Sequence, residues 1–298
     1  MDSIDRFVTL LDLETTIEIF CRLQAPFRMP HEADAPGTAW FHLLLDGHCT
    51  MSDASGRAHI LQAGDFCLWS RGGAHLIFAG HSPSQFTEES HNGIVQLSND
   101  SDGEPLRMLC GTFTARNRAA AGLMQVLPEP LIVPLGDIPQ LQALCDLIHS
   151  EAQARHAGSV SIIRALSEVL LLLALRRFGD MPHERHLNTL FADTGLARVL
   201  SRILTAPFVP YTTEGLAEVA CMSRATFARK FQAAAGCGVQ TFIRTMKMSA
   251  AAKMLRDGKQ AVARIAEETG YQSEAAFNNA FKAQFGVTPA RFRRQDEN

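Results

Sequence analysis

Two short segments of the sequence carry basic and amide side chains at helical spacing, each directly after a serine. The first segment consists of Ser223, Arg224, Thr226, Arg229 and Lys230. The second begins fifty residues later and consists of Ser273, Glu274, Asn278, Asn279 and Lys282. Arginine can bind guanine through two hydrogen bonds, asparagine can bind adenine in the same way, and both can bind phosphate. These residue types therefore favour contact with double-stranded DNA.

A second set of side chains, in the first half of the sequence, could do redox or metal chemistry. Its members are Cys21, His42, His75 and Cys110. A cysteine of lowered pKa beside a histidine or a cation can be oxidised to a sulfenic acid and then to a disulfide. Nitrogen and sulfur ligands also suit zinc or copper, which His42, His75 and Cys110 would supply. Simple packing is the third interpretation, because buried cysteines and histidines are common in ordinary cores.

The two DNA-contacting segments belong to an internal repeat between Leu216 and Gly286. Leu216-Ala217, Ala220, Ser223, Phe227, Phe231 and Gly236 recur as Ile265-Ala266, Gly270, Ser273, Phe277, Phe281 and Gly286. Each copy predicts a short helix, a tight turn and a second helix with two phenylalanines on its buried face. The serine is the predicted N-cap of the second helix, and the final glycine is its predicted C-terminal cap. The repeat thus predicts two helix-turn-helix units in tandem.

The charges of the sequence are distributed unevenly. The 298 residues carry a net charge of -3, but residues 191–298 hold 15 basic against 9 acidic residues, a net of +6, and residues 1–190 have a net of -9. A basic C-terminal part fits a surface that meets phosphates. No apolar run is long enough to span a membrane, and the N-terminus is acidic rather than basic. We therefore expect a cytoplasmic protein with no membrane partner, whose seven cysteines are thiols.

Residues 1 to about 117 have the pattern of an all-β barrel or sandwich. Short apolar or alternating runs occur at 40–45, 59–61, 66–69 and 106–113, separated by Gly, Asp and Pro turns. The polar stretch 81–105 is expected to be an exposed loop. Apolar residues then recur at helical period in 138–155 and 160–178, which predicts two antiparallel helices. The later helix is leucine-rich, and we expect it to pack against a second copy of the chain.

The C-terminal helical part is predicted to begin after a segment of linker composition. Residues 179–192 form that linker, and a helix is expected at 194–204. Thr212 is the expected N-cap of the next helix, although Gly215 stands where a capping box would have an acid or amide. A helix over 241–255, about 22 Å long at 1.5 Å per residue, is expected to separate the two helix-turn-helix units.

From Asp193 to Arg294 the chain resembles the DNA-binding domain of the AraC/XylS family of bacterial transcription regulators. The residues that carry the match are Leu216-Ala217, Met222-Ser223-Arg224, Phe227, Arg229, Phe231, Ile265-Ala266, Gly270-Tyr271, Ser273, Phe277, Phe281-Lys282, Phe285-Gly286, Pro289 and Phe292-Arg293. The resemblance implies two helix-turn-helix units that read adjacent major grooves of promoter DNA, with RNA polymerase as a further partner. Asn279 replaces a usual arginine and Val239 a common proline, so the second unit is expected to read DNA more weakly.

Residues 5–178 resemble the cupin-type sensor domain of one branch of that family. Trp40-Phe41-His42, Gly64-Asp65, Ala74-His75 and Leu109-Cys110-Gly111-Thr112-Phe113 carry the match. Metal-binding cupins supply a His-x-His pair and a glutamate in their first motif, whereas only His42 and His48 lie near it here. Within the branch, the chain is similar to a regulator that senses reactive chlorine through thiols, and Cys21 and Cys110 fall where its cysteines lie.

These observations predict an α+β protein with a sensor domain and a DNA-binding domain. The expected domains are a cupin-like β-barrel with two helices at 1–178, a linker at 179–192 and an all-α double helix-turn-helix domain at 193–298. The expected function is DNA-binding transcription regulation, as a homodimeric activator without a cofactor, with an oxidant signal acting at Cys21 and Cys110. One alternative is gating by a small molecule or metal in the barrel. The other is a cupin metalloenzyme fused to a DNA-binding domain, which the incomplete first motif disfavours.

Overall fold

The computed structural model describes residues 3–80, 85–91, 94–116, 118–153, 156–181, 190, 193–258 and 260–296. The chain divides into two compact units. The barrel unit consists of Glu14–Thr114 and Glu129–Asp180, and the helical unit consists of Met1–Leu13, Ala115–Pro128 and Met181–Asn298. The architecture is thus α+β, with a β-rich N-terminal part and a helical C-terminal part, as the sequence predicts. None of the described helices has both the length and the apolar character needed to cross a membrane.

The barrel unit contains two sheets. The seven-stranded sheet has the order β11-β6-β3-β10-β1-β9-β8, and the four-stranded sheet has the order β2-β7-β4-β5. The strands are β1 (Leu13–Gln24), β2 (Phe27–His31), β3 (Thr38–Asp46), β4 (His48–Asp53), β5 (Ala58–Gln62), β6 (Asp65–Trp69), β7 (His75–Ala79), β8 (Phe86–His91), β9 (Ile94–Asn99), β10 (Pro105–Ala115) and β11 (Leu131–Pro134). Buried side chains from both sheets share one core, in which Phe27, Met51, Cys67, Trp69 and Met108 take part. The four predicted strand segments are all strands.

The prediction of a loop over 81–105 is wrong for its described part. β8 and β9 form a hairpin there, and β9 pairs parallel with β1, with Cys21 opposite Leu97. β8 is the last strand of its sheet, and its described side chains are mostly exposed. An edge strand needs no alternation of apolar and polar residues. The polar composition of β8 therefore gave no sequence signal of a strand.

The central position of β10 depends on a glycine. β10 lies between β3 and β1, and its register on β3 places Gly111 opposite Phe41. A Cβ atom at Gly111 would contact the carbonyl oxygen of Thr16 on β1 and lie 2.8 Å from Cε1 of Phe41. The backbone of β10 therefore approaches both neighbours more closely than any side chain would allow.

Two helices complete the barrel unit at the predicted places. They are α3 (Leu141–Gln153) and α4 (Ser159–Asp180), and they pack against each other. α4 buries one face, including Ile163, Leu170 and Ala174, yet Val160 and Val169 on the same helix are 65% and 41% exposed.

The helical unit begins with two helices that the sequence analysis did not anticipate. They are α1 (Ser3–Leu11) and α2 (Arg118–Met124), and the expectation of strands throughout 1–117 is wrong for α1. α1 buries Phe7, Leu10 and Leu11. It contacts α5 (Thr194–Thr205) and α8 (Val239–Asp257), and α2 contacts α8. An ion pair between Asp12 and Arg256 of α8 adds to this packing.

The remaining helices follow the predicted repeat. They are α6 (Thr213–Val219), α7 (Arg224–Ala235), α9 (Val262–Glu268), α10 (Glu274–Phe285) and α11 (Pro289–Asp296). α8, between the two repeat copies, has 19 residues, four more than expected. It is therefore about 28 Å long at 1.5 Å per residue. Of the linker predicted at 179–192, residues 182–189 and 191–192 lie outside the described part of the chain.

We predict that Gly111→Ala destabilises the barrel unit by about 1–3 kcal/mol or more, because the methyl group forces β10 away from β1 and Phe41. Both tryptophans, Trp40 and Trp69, lie in this unit. Urea unfolding followed by tryptophan fluorescence therefore reports on it directly. Thr114→Ala, at an exposed position of the same strand, is the control and should change stability by less than about 1 kcal/mol. Equal stability of Gly111→Ala and the natural protein would contradict the prediction.

Candidate functional site

The two segments predicted to contact DNA form the starts of equivalent helices. The hydroxyl oxygen of Ser223 accepts a hydrogen bond from the backbone N–H of Thr226 at 3.3 Å. The hydroxyl oxygen of Ser273 accepts one from the N–H of Ala276 at 3.2 Å. At the other ends, Gly236 and Gly286 have φ values of 71° and 77°, the left-handed conformation that favours glycine. All four predicted caps are thus confirmed.

Phenylalanine side chains hold each of these helices in place. Phe227 and Phe231 of α7 are fully buried with ring centroids 5.7 Å apart, and Phe231 packs on Phe242 of α8. In the second copy, Phe277 and Phe281 of α10 have the same arrangement at 5.6 Å. The opposite face of both helices is exposed and carries the candidate DNA contacts.

The turns of the two copies differ from the alignment that the sequence suggests. The sequence repeat pairs Ala220 with Gly270, but the residue with the left-handed backbone in the first copy is Cys221, at φ 56°. Cys221 N–H donates to the carbonyl oxygen of Glu218, as Gly270 N–H donates to that of Glu267. Cys221 is therefore the structural equivalent of Gly270. The extra residue of the second copy lies between the turn and the capping serine.

Ion pairs engage two of the basic candidates in the first copy. Arg224 Nε lies 3.0 Å from a carboxylate oxygen of Glu214 on α6, and both side chains are exposed. Lys230 Nζ lies 2.7 Å from Asp193, which also accepts the N–H groups of Gly195 and Leu196 at the start of α5. An exposed ion pair is worth little and can exchange for a phosphate. Lys230 pairs with the side chain that caps α5, so it is held more firmly than Arg224.

The other candidates lie on the exposed side of their helices. Arg229 in α7 and Asn279 and Lys282 in α10 are exposed, and Asn278 is half-buried. Glu274 occupies the first turn of α10, at the position where α7 has Arg224. The first copy therefore presents arginines, and the second presents a carboxylate and amides.

A cluster of histidine and cysteine side chains lies inside the barrel unit. The register of β3 on β10 places His42 directly opposite Cys110, and Nδ1 of His42 lies 3.1 Å from Sγ of Cys110. Nε2 of His42 lies 2.8 Å from Nε2 of His75. Nδ1 of His75 lies 2.9 Å from the carbonyl oxygen of Gly73. Cys21, on the neighbouring strand β1, is hydrogen-bonded to Cys110. The structure thus brings together all four residues that the sequence singled out.

A third histidine, His31, also belongs to this cluster and was missed in the sequence analysis. It lies opposite His75 in the register of β2 on β7, and the two rings stack with centroids 4.6 Å apart. Phe27 and Met29, four and two residues earlier, are buried on β2. That alternation was the available signal that His31 points inward.

The electrostatics of the cluster do not favour charged forms. Burial lowers the pKa of His31 to about 3 and that of His75 to about 4, and it lowers the pKa of His42 well below its usual value. Burial also raises the pKa of the Cys110 thiol well above its usual value. This direction is opposite to the lowered pKa that the thiolate hypothesis requires of Cys110, because burial disfavours the charged form and Cys21, Cys49 and Glu18 add to the effect.

The metal-ligand set suggested by the sequence also changes. One ligand nitrogen each of His31, His42 and His75 lies within 4.8 Å of the others, and Cys110 is not in this group. Cys110 lies on the Nδ1 side of His42, whereas His75 lies on its Nε2 side. His31 also lines a cavity of about 820 Å³ in the barrel unit, together with Glu18, Asp34, Trp40 and Phe86.

The other five cysteines differ in exposure. Cys49, Cys67 and Cys145 are buried, Cys221 is exposed and Cys237 is half-buried. All seven are free thiols in the structure. Cys221 and Cys237 flank α7, in the turn before it and just after its end.

Comparisons with known proteins identify a cupin segment followed by a helix-turn-helix segment. Residues 2–180 match the family described as Cupin, and residues 216–295 match the family described as Helix-turn-helix domain. An uncharacterized HTH-type transcriptional regulator of Haemophilus influenzae is 33% identical over 99% of both chains. The RCS-specific HTH-type transcriptional activator RclR of Escherichia coli is 26% identical over 98% of this chain and 97% of its own. These relatives are named as transcriptional regulators and not as enzymes.

A solved DNA-binding domain is similar to about one third of this chain. The DNA-binding domain of AdpA, in complex with a target DNA, is 29% identical, and the match covers 33% of this chain and 89% of that chain with a TM-score of 0.32.

Proposed function

This chain belongs to the AraC-like family of helix-turn-helix transcriptional regulators that begin with a cupin segment, and we propose that it activates transcription from promoter DNA as a homodimer. In this proposal residues 1–178 sense the signal, residues 179–192 link the domains, and residues 193–298 read DNA and contact RNA polymerase. The observation that carries it is the doubled helix-turn-helix, with both helices capped by serine and packed through phenylalanine pairs.

The spacing of the two units supports reading by one chain of two adjacent half-sites. α8 separates the units and is about 28 Å long by the rise per residue. Successive major grooves on one face of DNA lie about 34 Å apart. A continuous helix is a rigid spacer, and the length of α8 is of the same order as the distance between the two grooves.

The two units should contribute unequally to recognition. Arg224 and Arg229 can each bind guanine or phosphate, whereas α10 presents Glu274, Asn278 and Asn279 in the corresponding region. A carboxylate repels phosphate, so α10 depends on neutral amide contacts and on Lys282. We infer that the first unit supplies most of the sequence specificity.

We predict that Arg224→Ala weakens promoter binding by about 1–3 kcal/mol, roughly tenfold to a hundredfold, and removes protection of one half-site. Asn279→Ala should reduce protection of the other half-site by less. Quantitative footprinting at fixed salt measures both effects. Arg57→Ala, which removes an exposed positive charge in the barrel unit, is the matched control and should bind as the natural protein does. Equal losses at both half-sites from the two variants would refute the unequal contribution.

The proposed homodimer uses the exposed apolar side of α4. Ile162 and Val169 are exposed on the same side of this helix, and a second copy of the chain would cover them. We predict that Val169→Glu shifts the protein from dimer to monomer, because a carboxylate would be buried in the interface. Sedimentation velocity measures the shift. Glu168→Gln, an exposed neighbour on the same helix, should leave the dimer intact. A natural protein that sediments as a monomer at micromolar concentration would exclude the dimer.

For the signal, we propose oxidation of Cys21 and Cys110. Their side chains are hydrogen-bonded on adjacent strands, so little movement is needed to join them. The two thiols would lose two electrons and two protons to a two-electron oxidant, and a sulfur–sulfur bond would form. The relative RclR is named as an RCS-specific activator, which supports an oxidant signal. Because both thiols are buried and that of Cys110 has a raised pKa, the oxidant must reach the core, and the reaction should be slow without local opening.

Peptide mapping after oxidation tests this signal. At an oxidant dose that changes promoter affinity, we expect a cross-linked peptide pair containing Cys21 and Cys110. Cys110→Ser should abolish both the cross-link and the change in affinity, since its hydroxyl cannot form the bond. Cys49→Ser, which alters another buried thiol of the same core, is the control and should keep the response. A change in affinity with Cys21 and Cys110 both unmodified would eliminate the redox hypothesis.

A further inference from the structure

The helix that precedes each helix-turn-helix unit repeats together with that unit. α5 precedes α6 and α7 in the same way as α8 precedes α9 and α10, and the offset of 49 residues that relates Leu216 to Ile265 also relates α5 to α8. Three buried positions of α5 have buried counterparts in α8: Val199, Leu200 and Ile203 correspond to Met248, Ser249 and Ala252. The structural repeat therefore has three helices in each copy.

Arg198 of α5 reaches the turn of the first unit. Its Nε donates a hydrogen bond to the carbonyl oxygen of Val219, the last residue of α6, at 3.2 Å. Its Nη2 lies 3.5 Å from Sγ of Cys221, the residue with the left-handed backbone. A cation near the last carbonyl groups of a helix is favourable, because these groups carry partial negative charge. Arg198 thus connects α5 to the end of α6 and to the turn.

Lys247 of α8 occupies the corresponding place in the second unit. The same offset relates it to Arg198, and a Cβ atom on Gly270, the counterpart of Cys221, would lie 4.0 Å from its Nζ. Lys247 is half-buried, and burial lowers its pKa below the usual value. Each turn therefore has a cation from the preceding helix beside its left-handed residue.

The start of α5 makes two further contacts with the first unit. Asp193, which caps α5, pairs with Lys230 of α7 at 2.7 Å. A Cβ atom on Gly195 would lie 2.5 Å from the carbonyl oxygen of Ala220, so the first turn of α5 packs directly on the backbone next to Cys221. The position of α7 therefore depends on α5 as well as on its own cap and phenylalanine pair.

We propose that Arg198 and Lys247 are equivalent positioning residues, each of which fixes the turn of its own unit and thereby the helix that reads DNA. α7 begins three residues after Cys221, and α10 begins four residues after Gly270. A displacement of the turn therefore displaces the start of the helix, where the candidate base contacts lie. In this role the two cations act through the turn and not on DNA itself. The inference rests on the proposed function, because it concerns how the two units read DNA.

The test uses the full-length protein and the DNA duplex that the natural protein selects from a random-sequence library. Two further duplexes each have one half-site scrambled, so that each reports on one unit. The half-site of the first unit is the one whose protection Arg224→Ala removes. Arg198→Met should weaken binding to the duplex that keeps this half-site by roughly threefold to tenfold, and binding to the other duplex by less than about twofold. Lys247→Met should show the reverse pattern.

Three controls separate positioning from a general loss of structure or charge. Arg202→Met removes an exposed cation one turn further along α5 and should bind both duplexes as the natural protein does. Arg198→Lys should restore most of the lost affinity, because the second unit has a lysine at this place. Arg198→Gln is a second variant in case the methionine protein does not fold, which far-UV circular dichroism checks. The dependence of affinity on salt should keep the slope of the natural protein in both methionine variants, because a positioning residue neutralises no phosphate.

Three results would overturn the proposal. They are equal losses on the two duplexes from a folded Arg198 variant, unchanged affinity in both methionine variants, and a salt slope reduced by about one, which would indicate direct contact with phosphate. Failure of the natural protein to select any DNA sequence rejects the proposed function, and this inference with it. Selection of a sequence by the natural protein, with no difference between it and the variants, rejects only the positioning roles.

Discussion

The close approach of β10 to β1 and β3 is the constraint on which the barrel interior depends. Gly111 permits this approach, since any side chain there would collide with the backbone of β1 and with Phe41. The same register places Cys110, the preceding residue, opposite His42. Cys21 on β1 reaches Cys110 from the other side. A shift of one residue would turn each of these side chains to the opposite face of the sheet and dismantle the cluster.

The helical unit depends on a different set of interactions, which act within each copy of the repeat. The capping serine fixes where the second helix of each copy begins, and the phenylalanine pair fixes which of its faces is buried. Burial of one such side chain is worth about 2 kcal/mol. The exposed face is then free to vary, and it differs between the copies in charge. Two similar scaffolds can thus carry an arginine-rich surface in one copy and an amide-rich surface in the other.

The division into units does not follow the order of the sequence. α1 and α2 fall within residues 2–180, which match the Cupin family, yet both pack in the helical unit. α1 ends just before β1 begins, and α2 begins just after β10 ends. The strands that carry Cys21 and Cys110 therefore continue directly into helices that contact α8, the helix between the two DNA-reading copies. Covalent continuity therefore links the strands that carry the histidine and cysteine cluster to the helix-turn-helix part at two points besides the linker predicted from composition.

The sequence by itself determined the features that depend on local spacing. The repeat, its caps, its phenylalanine pairs and the apolar strands could all be predicted, because residues three, four or two positions apart define the buried face of a helix or strand. The tertiary structure alone decided the rest. α1 is helical because its apolar side packs on α8, more than 200 residues away, and β8 and β9 exist because β9 pairs with β1. His31 joined the cluster only through the pairing of β2 with β7, and Cys110 lost the expected low pKa only through complete burial. Such effects arise from contacts between distant segments, which spacing along the chain does not encode.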